Sequence, residues 1–261
     1  MTRRALLKTA LLRAGAVLKK HFGKVAYKQK RRADLLTIAD LQSQKTILDL
    51  IRKHFPEDDY KAEENETKLT GAKHLWVIDP LDGTTNYAHG YPAACVSIGV
   101  LNGNNGAPLL GGINDPFRNE LYLATKGGGA FLNGNRLRVS TTPLLTVSLL
   151  ITGFAYDRAE KADFYLSRFK AFMTKCHDIR RSGSAALDMA WIAAGRADGF
   201  WEYELNPWDV SAGLLLIREA GGKVTDLNGK SWTDWRLYGK RTLATNGRIH
   251  RQMISILKRV I

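Results

Sequence analysis

Apolar positions along this chain recur with two periods, and the period changes from segment to segment. Leu7, Leu11, Ala14, Leu18 and Phe22 are spaced three or four apart, which places them on one face of an amphipathic first helix. Ile47, Leu48 and Ile51 predict a second helix from Asp40 to about His54, with Asp40 as its N-cap and Pro56 as its stop. Residues 57–72 carry Glu57, Asp58, Asp59, Lys61, Glu63, Glu64 and Glu66 and read as an irregular polar segment. Leu75-Trp76-Val77-Ile78 then reads as a short buried strand that ends at Asp79-Pro80.

Residues 93–139 read as a meander. Ala94 to Leu101, Leu109 to Ile113, Glu120 to Ala124 and Gly129 to Leu132 are strand-like, and turn-rich residues separate them. The second half alternates. Strands are predicted at Ser148 to Thr152, Ala197 to Glu202, Lys223 to Asp226 and Arg241 to Ala244. Helices are predicted at Ala159 to about Lys175, Ser184 to Ala194, Val210 to Glu219 and His250 to Arg259, the third closed by Gly221-Gly222. This pattern belongs to an α/β (α+β) chain with helices layered on sheets. No repeat or long linker interrupts it, so a single domain over 1–261 is expected, with approximate halves at 1–140 and 141–261.

Composition narrows the class. The chain has 261 residues, 44% hydrophobic and 25% charged, which excludes a disordered protein. Two cysteines, Cys95 and Cys176, exclude a disulfide scaffold and a four-thiolate zinc site, and fit a reducing, cytoplasmic setting. No run of about 20 apolar residues exists, so no membrane span is expected. Thr2-Arg3-Arg4 superficially resembles a twin-arginine export signal, but Arg13 breaks the apolar stretch that follows.

The formal charge of +14 is unevenly placed. Residues 1–32 carry eleven Lys and Arg and residues 235–261 carry seven, with no acid in either, so the middle is net −4. Basic ends suit contact with a polyanion such as nucleic acid or acidic lipid, but a solvated helix face that serves solubility is the reading favoured by the sequence alone.

The chemistry concentrates in Asp79-Pro80-Leu81-Asp82-Gly83-Thr84-Thr85-Asn86. Two carboxylates three apart straddle a proline at the end of a buried strand. Pro80 fixes its own φ and restricts Asp79, so both side chains can converge on one point. Gly83 lets backbone approach a ligand, and Thr84 adds a hydroxyl. A helix following the turn would point free N–H groups at a phosphate. Carboxylates beside an anion site require a cation between them, and oxygen-only donors indicate Mg²⁺ rather than zinc. Glu63-Glu64 and Trp208-Asp209 are weaker signals. Alone, they read as a solvated loop and a helix cap.

Together these segments resemble the inositol monophosphatase family, the Mg²⁺-dependent, lithium-sensitive phosphatases whose superfamily includes fructose-1,6-bisphosphatase. Thr37-Ile38-Ala39-Asp40, Glu63-Glu64, Trp76 to Asn86, Gly183 to Ala186, Gly195 to Phe200, Trp208-Asp209 and Glu219 to Gly222 carry the likeness, in the family's order and spacing. Arg180 to Asp188 is similar to the bacterial extragenic-suppressor (SuhB-type) branch.

The resemblance implies a layered α-β-α-β-α sandwich, a homodimer and two or three Mg²⁺ ions. Glu63, Asp79 and the Leu81 carbonyl would hold one ion; Asp79, Asp82 and Asp209 would hold a second; a weaker third would sit near Glu63. Gly83 and Thr84 would bind phosphate through backbone N–H groups. Asp40 would pair with the Thr84 hydroxyl and help activate water, so Asp40, Glu63 and Thr84 carry catalysis. Arg180, Ser184, Ala185, Glu202 and Asp209 would line the alcohol side. Gln44 departs from the family's usual Glu, and Ala62 from its usual Gly. The implied reaction is hydrolysis of inositol monophosphate or a related polyol or sugar phosphate. Fructose 1,6-bisphosphate and a 2′-phosphorylated dinucleotide are alternative substrates. A regulatory protein docking on RNA or transcription machinery through its basic ends is an alternative role. Trp76 and Trp208, next to the carboxylates, are expected to wall the site, and the six histidines are expected to be non-catalytic.

Overall fold

The computed structural model describes residues 1–24, 27–31, 34–64 and 69–260, so residues 65–68 of the polar segment, including Glu66, lie outside the described residues. Helix α1 (Arg3–His21) leads to strands β1 (Tyr27–Arg31) and β2 (Asp34–Thr37) and helix α2 (Ile38–His54). Strands β3 (Asp59–Ala62) and β4 (His74–Asp82) precede a short helix, α3 (Thr84–Ala88). The meander follows as β5 (Cys95–Asn102), β6 (Pro108–Asp115), β7 (Glu120–Thr125), β8 (Gly129–Leu132) and β9 (Asn135–Arg136). The remainder runs β10 (Leu149–Thr152), α4 (Ala162–Met173), β11 (Asp178–Arg180), α5 (Ala185–Ala193), β12 (Gly199–Tyr203) and α6 (Pro207–Glu219). Strands β13 (Lys223–Asp226) and β14 (Arg241–Thr245) and helix α7 (His250–Leu257) complete it.

A seven-stranded sheet has the order β3-β4-β5-β6-β7-β8-β9, and a five-stranded sheet the order β11-β10-β12-β14-β13. All neighbours in the first are antiparallel except β3 and β4. In the second, β10 runs parallel to β11 and β12, and β14 antiparallel to β12 and β13.

The two-residue period of the strands sets the layering. In β4, Trp76 and Ile78 enter a core with Leu6, Leu11 and Leu18 of α1 and Ile47 and Ile51 of α2. Leu75 and Val77 enter the opposite core, with Leu187 of α5 and Val210 and Leu214 of α6. That central core also receives Ile151, Phe200 and Ala244 from the five-stranded sheet. The far face of this sheet packs Leu150, Trp201 and Leu243 on Phe172 of α4 and Met253 of α7. The layers are therefore α-β-α-β-α, as expected. Each large apolar side chain fully buried contributes roughly 1.5–3 kcal/mol.

Helix α6 lies unusually close to the seven-stranded sheet because two strand positions lack a side chain. A Cβ on Gly99 would lie 2.7 Å from the Ser211 Cβ, and one on Gly111 2.8 Å from the Ala212 carbonyl oxygen. These contacts fix the height of α6, which brings Asp209 to the site.

Several local expectations change. Helix α2 begins at Ile38 with Thr37 as N-cap, and Asp40 is the N3 residue of a capping box. Helix α6 begins at Pro207, three residues before the expected start. Strand β3 replaces part of the expected irregular segment, stabilised by parallel pairing of Asp59 to Ala62 with Leu75 to Ile78. The β1–β2 hairpin, β9 and β11 were not signalled by periodicity; each is too short or too polar to show one. Trp76 does not wall the site. It is fully buried under α1 and α2, with its indole N–H donated to Asp58 at 2.8 Å. Among the described residues, no helix is long and apolar enough to cross a membrane.

Candidate active site

The carboxylates converge at the C-terminal end of β4. One oxygen each from Asp79, Asp82 and Asp209 lies within 4.8 Å of the others. Asp79 is 2% exposed, and one of its oxygens accepts the Leu81 N–H at 2.9 Å. The strand register shifts between Asp79 and Asp82. That irregularity turns both side chains to the same side, where regular alternation would separate residues three apart.

Asp82 is held by the start of α5. It accepts the Ser184 hydroxyl at 2.7 Å and the Ala186 N–H at 2.6 Å. Ser184 is also the N-cap of that helix. Asp209 is the N3 residue of a capping box and accepts the Asn206 N–H at 2.7 Å through one oxygen. A carboxylate has two oxygens, so the cap consumes one and leaves the other for the cluster.

Asp40 repeats this arrangement on the opposite side. Its Oδ2 accepts the Thr37 N–H at 2.8 Å and hydroxyl at 2.6 Å, while its Oδ1 faces the Thr84 hydroxyl at 3.2 Å. The Thr84 hydroxyl also lies 2.9 Å from the Leu81 carbonyl oxygen. Gly83 stands at φ +91° as the N-cap of α3, and an added Cβ would meet the Ala93 carbonyl at 2.7 Å. Only glycine fits that turn.

Burial and crowding penalise negative charge here. Asp79 is pushed well above the ordinary carboxylate range by burial and by the charges of Glu63, Asp82 and Asp209. Burial is also the main cause for Asp82, which is raised, and for Asp209, pushed up to about 8. Asp40 is raised to about 6, mainly by burial, against the opposing Thr37 hydrogen bonds. A set of oxygens that resists holding negative charge unaided, and is offered three at a time to one point, is what a hard divalent cation satisfies.

One cleft joins these groups to the remaining expected residues. Glu63, Leu81, Gly83, Thr84, Ser184, Ala185, Glu202 and Trp208 line it with the three aspartates. Glu63 follows β3, donates its N–H to the Ile78 carbonyl at 3.2 Å, and acts on Asp79 through its charge, although it lies outside the close triad. Gln44, at the position where the family often has Glu, accepts the Glu64 N–H at 3.1 Å. Glu202 on β12 is buried and pushed up to about 8, chiefly by desolvation.

Arg180 is not brought into the cleft. It pairs with Asp178, two residues away on the same face of β11. Arg181, just past the strand end, lines the cleft instead, as do Arg158 and Asp188. None of the three is among the expected site residues, although Arg181 and Asp188 lie in the Arg180 to Asp188 stretch that carries the resemblance. The exchange of Arg181 for Arg180 had a readable signal only if the short strand β11 had been recognised. Of the histidines, His250 is buried between Thr225 and Thr245, with its pKa lowered to about 4 by burial, and takes no part in the cleft.

A model of the inositol monophosphatase family matches residues 2–261. The chain is 43% identical over 251 residues to the inositol-1-monophosphatase of Synechocystis, covering 95% of this chain and 86% of that one. It is 41% identical over 253 residues to the Nus factor SuhB of Escherichia coli, covering 95% and 93%. The solved inositol monophosphatase of Anabaena (Nostoc) superposes with a TM-score of 0.88 at 44% identity, over 99% of this chain and 96% of the other.

Proposed function

The chain belongs to the inositol monophosphatase family, and on that premise we propose that it hydrolyses inositol monophosphate or a closely related polyol phosphate. It is a phosphatase, and its dependence on Mg²⁺ follows from the family and from the acidic cluster. The convergence of Asp79, Asp82 and Asp209 beside the Gly83–Thr84 turn is the observation that carries the reading.

The donor set fits Mg²⁺: the oxygens are hard, several and short of positive charge. Glu63, Asp79 and the Leu81 carbonyl would hold one ion, and Asp79, Asp82 and Asp209 a second, with a weaker third near Glu63. When bound, Mg²⁺ neutralises charge on the phosphoryl and leaving oxygens and makes water more acidic. The Gly83 and Thr84 N–H groups would bind phosphate. The Thr84 hydroxyl, placed to donate to the Leu81 carbonyl at 2.9 Å or to Asp40 at 3.2 Å, would pass its proton to Asp40 as its oxygen takes one from the attacking water, making Asp40 the final acceptor. A carboxyl raised to about 6 is ionised at neutral pH yet basic enough for that step. Ser184, Ala185 and Glu202 face the alcohol, and Glu202, protonated near neutrality, can donate to a substrate hydroxyl.

A phosphate-release screen of sugar, polyol and nucleotide esters, with Mg²⁺ and with or without Li⁺, tests this. Inositol 1-phosphate should be among the best substrates, with turnover lost to chelator and reduced by Li⁺. A strong preference for 2′-phosphorylated dinucleotide would overturn the substrate assignment.

The similarity to a protein named as a Nus factor favours a second role, contact with RNA or transcription machinery through the basic ends. Helix α1 presents Arg4, Lys8, Arg13, Lys19 and Lys20 with no acid in its sequence. RNA retention at low salt that falls steeply as salt rises is expected; no retention at low salt rejects it. A homodimer, which sedimentation would test, and a cytoplasmic location complete the proposal.

A further inference from the structure

We propose that Gly153 is a specificity-determining position of the cleft: the side chain it lacks leaves the space in which the Glu202 carboxyl sits, at the depth where a ring polyol meets it. This rests on the inositol monophosphate reading above and names the position that shapes its alcohol side.

Strand parity brings the two residues together. Strand β10 runs parallel to β12, with Ile151 opposite Phe200 and Thr152 opposite Trp201. Ile151 and Phe200 both enter the central core, whereas Trp201 enters the far one. Two residues on from each, Gly153 and Glu202 keep the parity of that inner face. The apolar layer ends there and the cleft begins, and both residues line it.

The fit is close. A Cβ on Gly153 would lie 2.1 Å from one Glu202 carboxyl oxygen, and 2.3 Å from the other and from the carboxyl carbon. Ordinary contact needs about 3.5 Å, so any side chain would push the carboxyl about 1 Å or more into the cleft. Gly153 is not among the glycines with left-handed backbone, so alanine is sterically allowed there apart from Glu202. Glu202 is 8% exposed, and among the described residues its carboxyl has no hydrogen-bond partner. A buried group left in that state is completed by a substrate hydroxyl, and how well depends on its depth. Pushed forward, it would take up volume that the ring needs.

Inositol 1-phosphate and ethyl phosphate separate this effect from a general one, because the ethyl alcohol carries no further hydroxyl. In the whole chain with Mg²⁺, Gly153→Ala should lower the inositol-to-ethyl ratio of kcat/KM by about tenfold or more. Glu202→Asp alone should lower it too, because the shortened acid stops short of the ring. Together the two changes should refit, raising the ratio about threefold or more above that of Gly153→Ala. Lost stability alone does not produce that reversal. A ratio unchanged in Gly153→Ala, or a double variant no better than it, overturns the inference. If Gly153→Ala fails to fold by circular dichroism, a folded and active double variant supports the same conflict, and an unfolded one overturns it. The unmodified protein reports on the underlying reading. No hydrolysis of inositol 1-phosphate rejects that reading and this inference with it, whereas hydrolysis alongside an unchanged ratio rejects the role of Gly153 alone.

Discussion

The Thr84 hydroxyl lies 3.2 Å from the Asp40 carboxylate, across 44 positions of the chain. The other Asp40 oxygen is spent on capping α2, so the residue is rigid where it meets Thr84. Replacing Asp40 by Asn keeps the shape and removes the proton acceptor. A fall in kcat of about 10²–10⁴-fold with little change in KM is expected from initial rates. An unchanged kcat would remove Asp40 from the mechanism. With Asp40 raised to about 6 and any bound cation lowering it, the acid limb of the kcat profile should lie at or below about pH 6 and vanish in the Asn variant.

Asp79 is the most crowded of the acids, bearing on Glu63, Asp82 and Asp209 together. Asp79→Asn should reduce turnover by about 10³-fold or more even at saturating Mg²⁺, because the charge shared by the cation sites is lost. The same change removes repulsion, so the thermal midpoint of the metal-free protein should hold or rise. Near-normal hydrolysis would sink the metal assignment.

Burial of acids links stability to pH. Glu202 and Asp209 stand at about 8 in the folded protein, against ordinary values of 4.5 and 3.8. Between those limits the folded state holds protons that the unfolded chain has released, so metal-free stability declines as pH rises through the interval. It is greatest below the ordinary values and lowest above about pH 8. Mg²⁺ binds the ionised form, so its stabilisation should grow with pH. Calorimetry at about pH 6 and about pH 9, with chelator and with Mg²⁺, checks both signs. A chelated protein that gains stability towards pH 9 contradicts the arrangement.

The close approach of α6 predicts a remote effect on activity. Gly99→Val would drive its side chain against Ser211 and lift the helix that carries Asp209. A loss of roughly 1–3 kcal/mol in denaturant unfolding is expected from overpacking. Mg²⁺ affinity should fall with it, measured by the concentration that half-activates the enzyme. Lost stability with unchanged Mg²⁺ activation would mean that Asp209 is positioned independently of the packing.

The eight residues from Asp79 to Asn86 could be read for their chemistry directly, because Pro80 and Gly83 constrain the backbone locally. That helices lie on sheets was readable too, since the spaced apolar positions of α1 mark one buried face and the continuous apolar run Leu75 to Ile78 a strand buried on both; the α-β-α-β-α layer order was implied only by the family resemblance. The roles of Asp40 and Asp209 were less legible. Each looks like a helix N-cap in sequence, and each is instead the N3 residue of a capping box; that the second oxygen faces another segment depends on where the helix comes to rest.

What the sequence by itself determined was the type of chemistry and the alternation of helix and sheet, both of which follow from residue type and spacing within a few turns of chain. The tertiary structure decided which distant groups share the cleft. It gathered Glu63, Asp79, Glu202 and Asp209 from separate elements, set Asp40 against Thr84 of the lining, and put Arg181 in the lining where Arg180 pairs with Asp178. Those outcomes depend on strand parity, a register shift and the seating of α6 on Gly99 and Gly111. Contacts between residues far apart in sequence are set by packing, which no local period records.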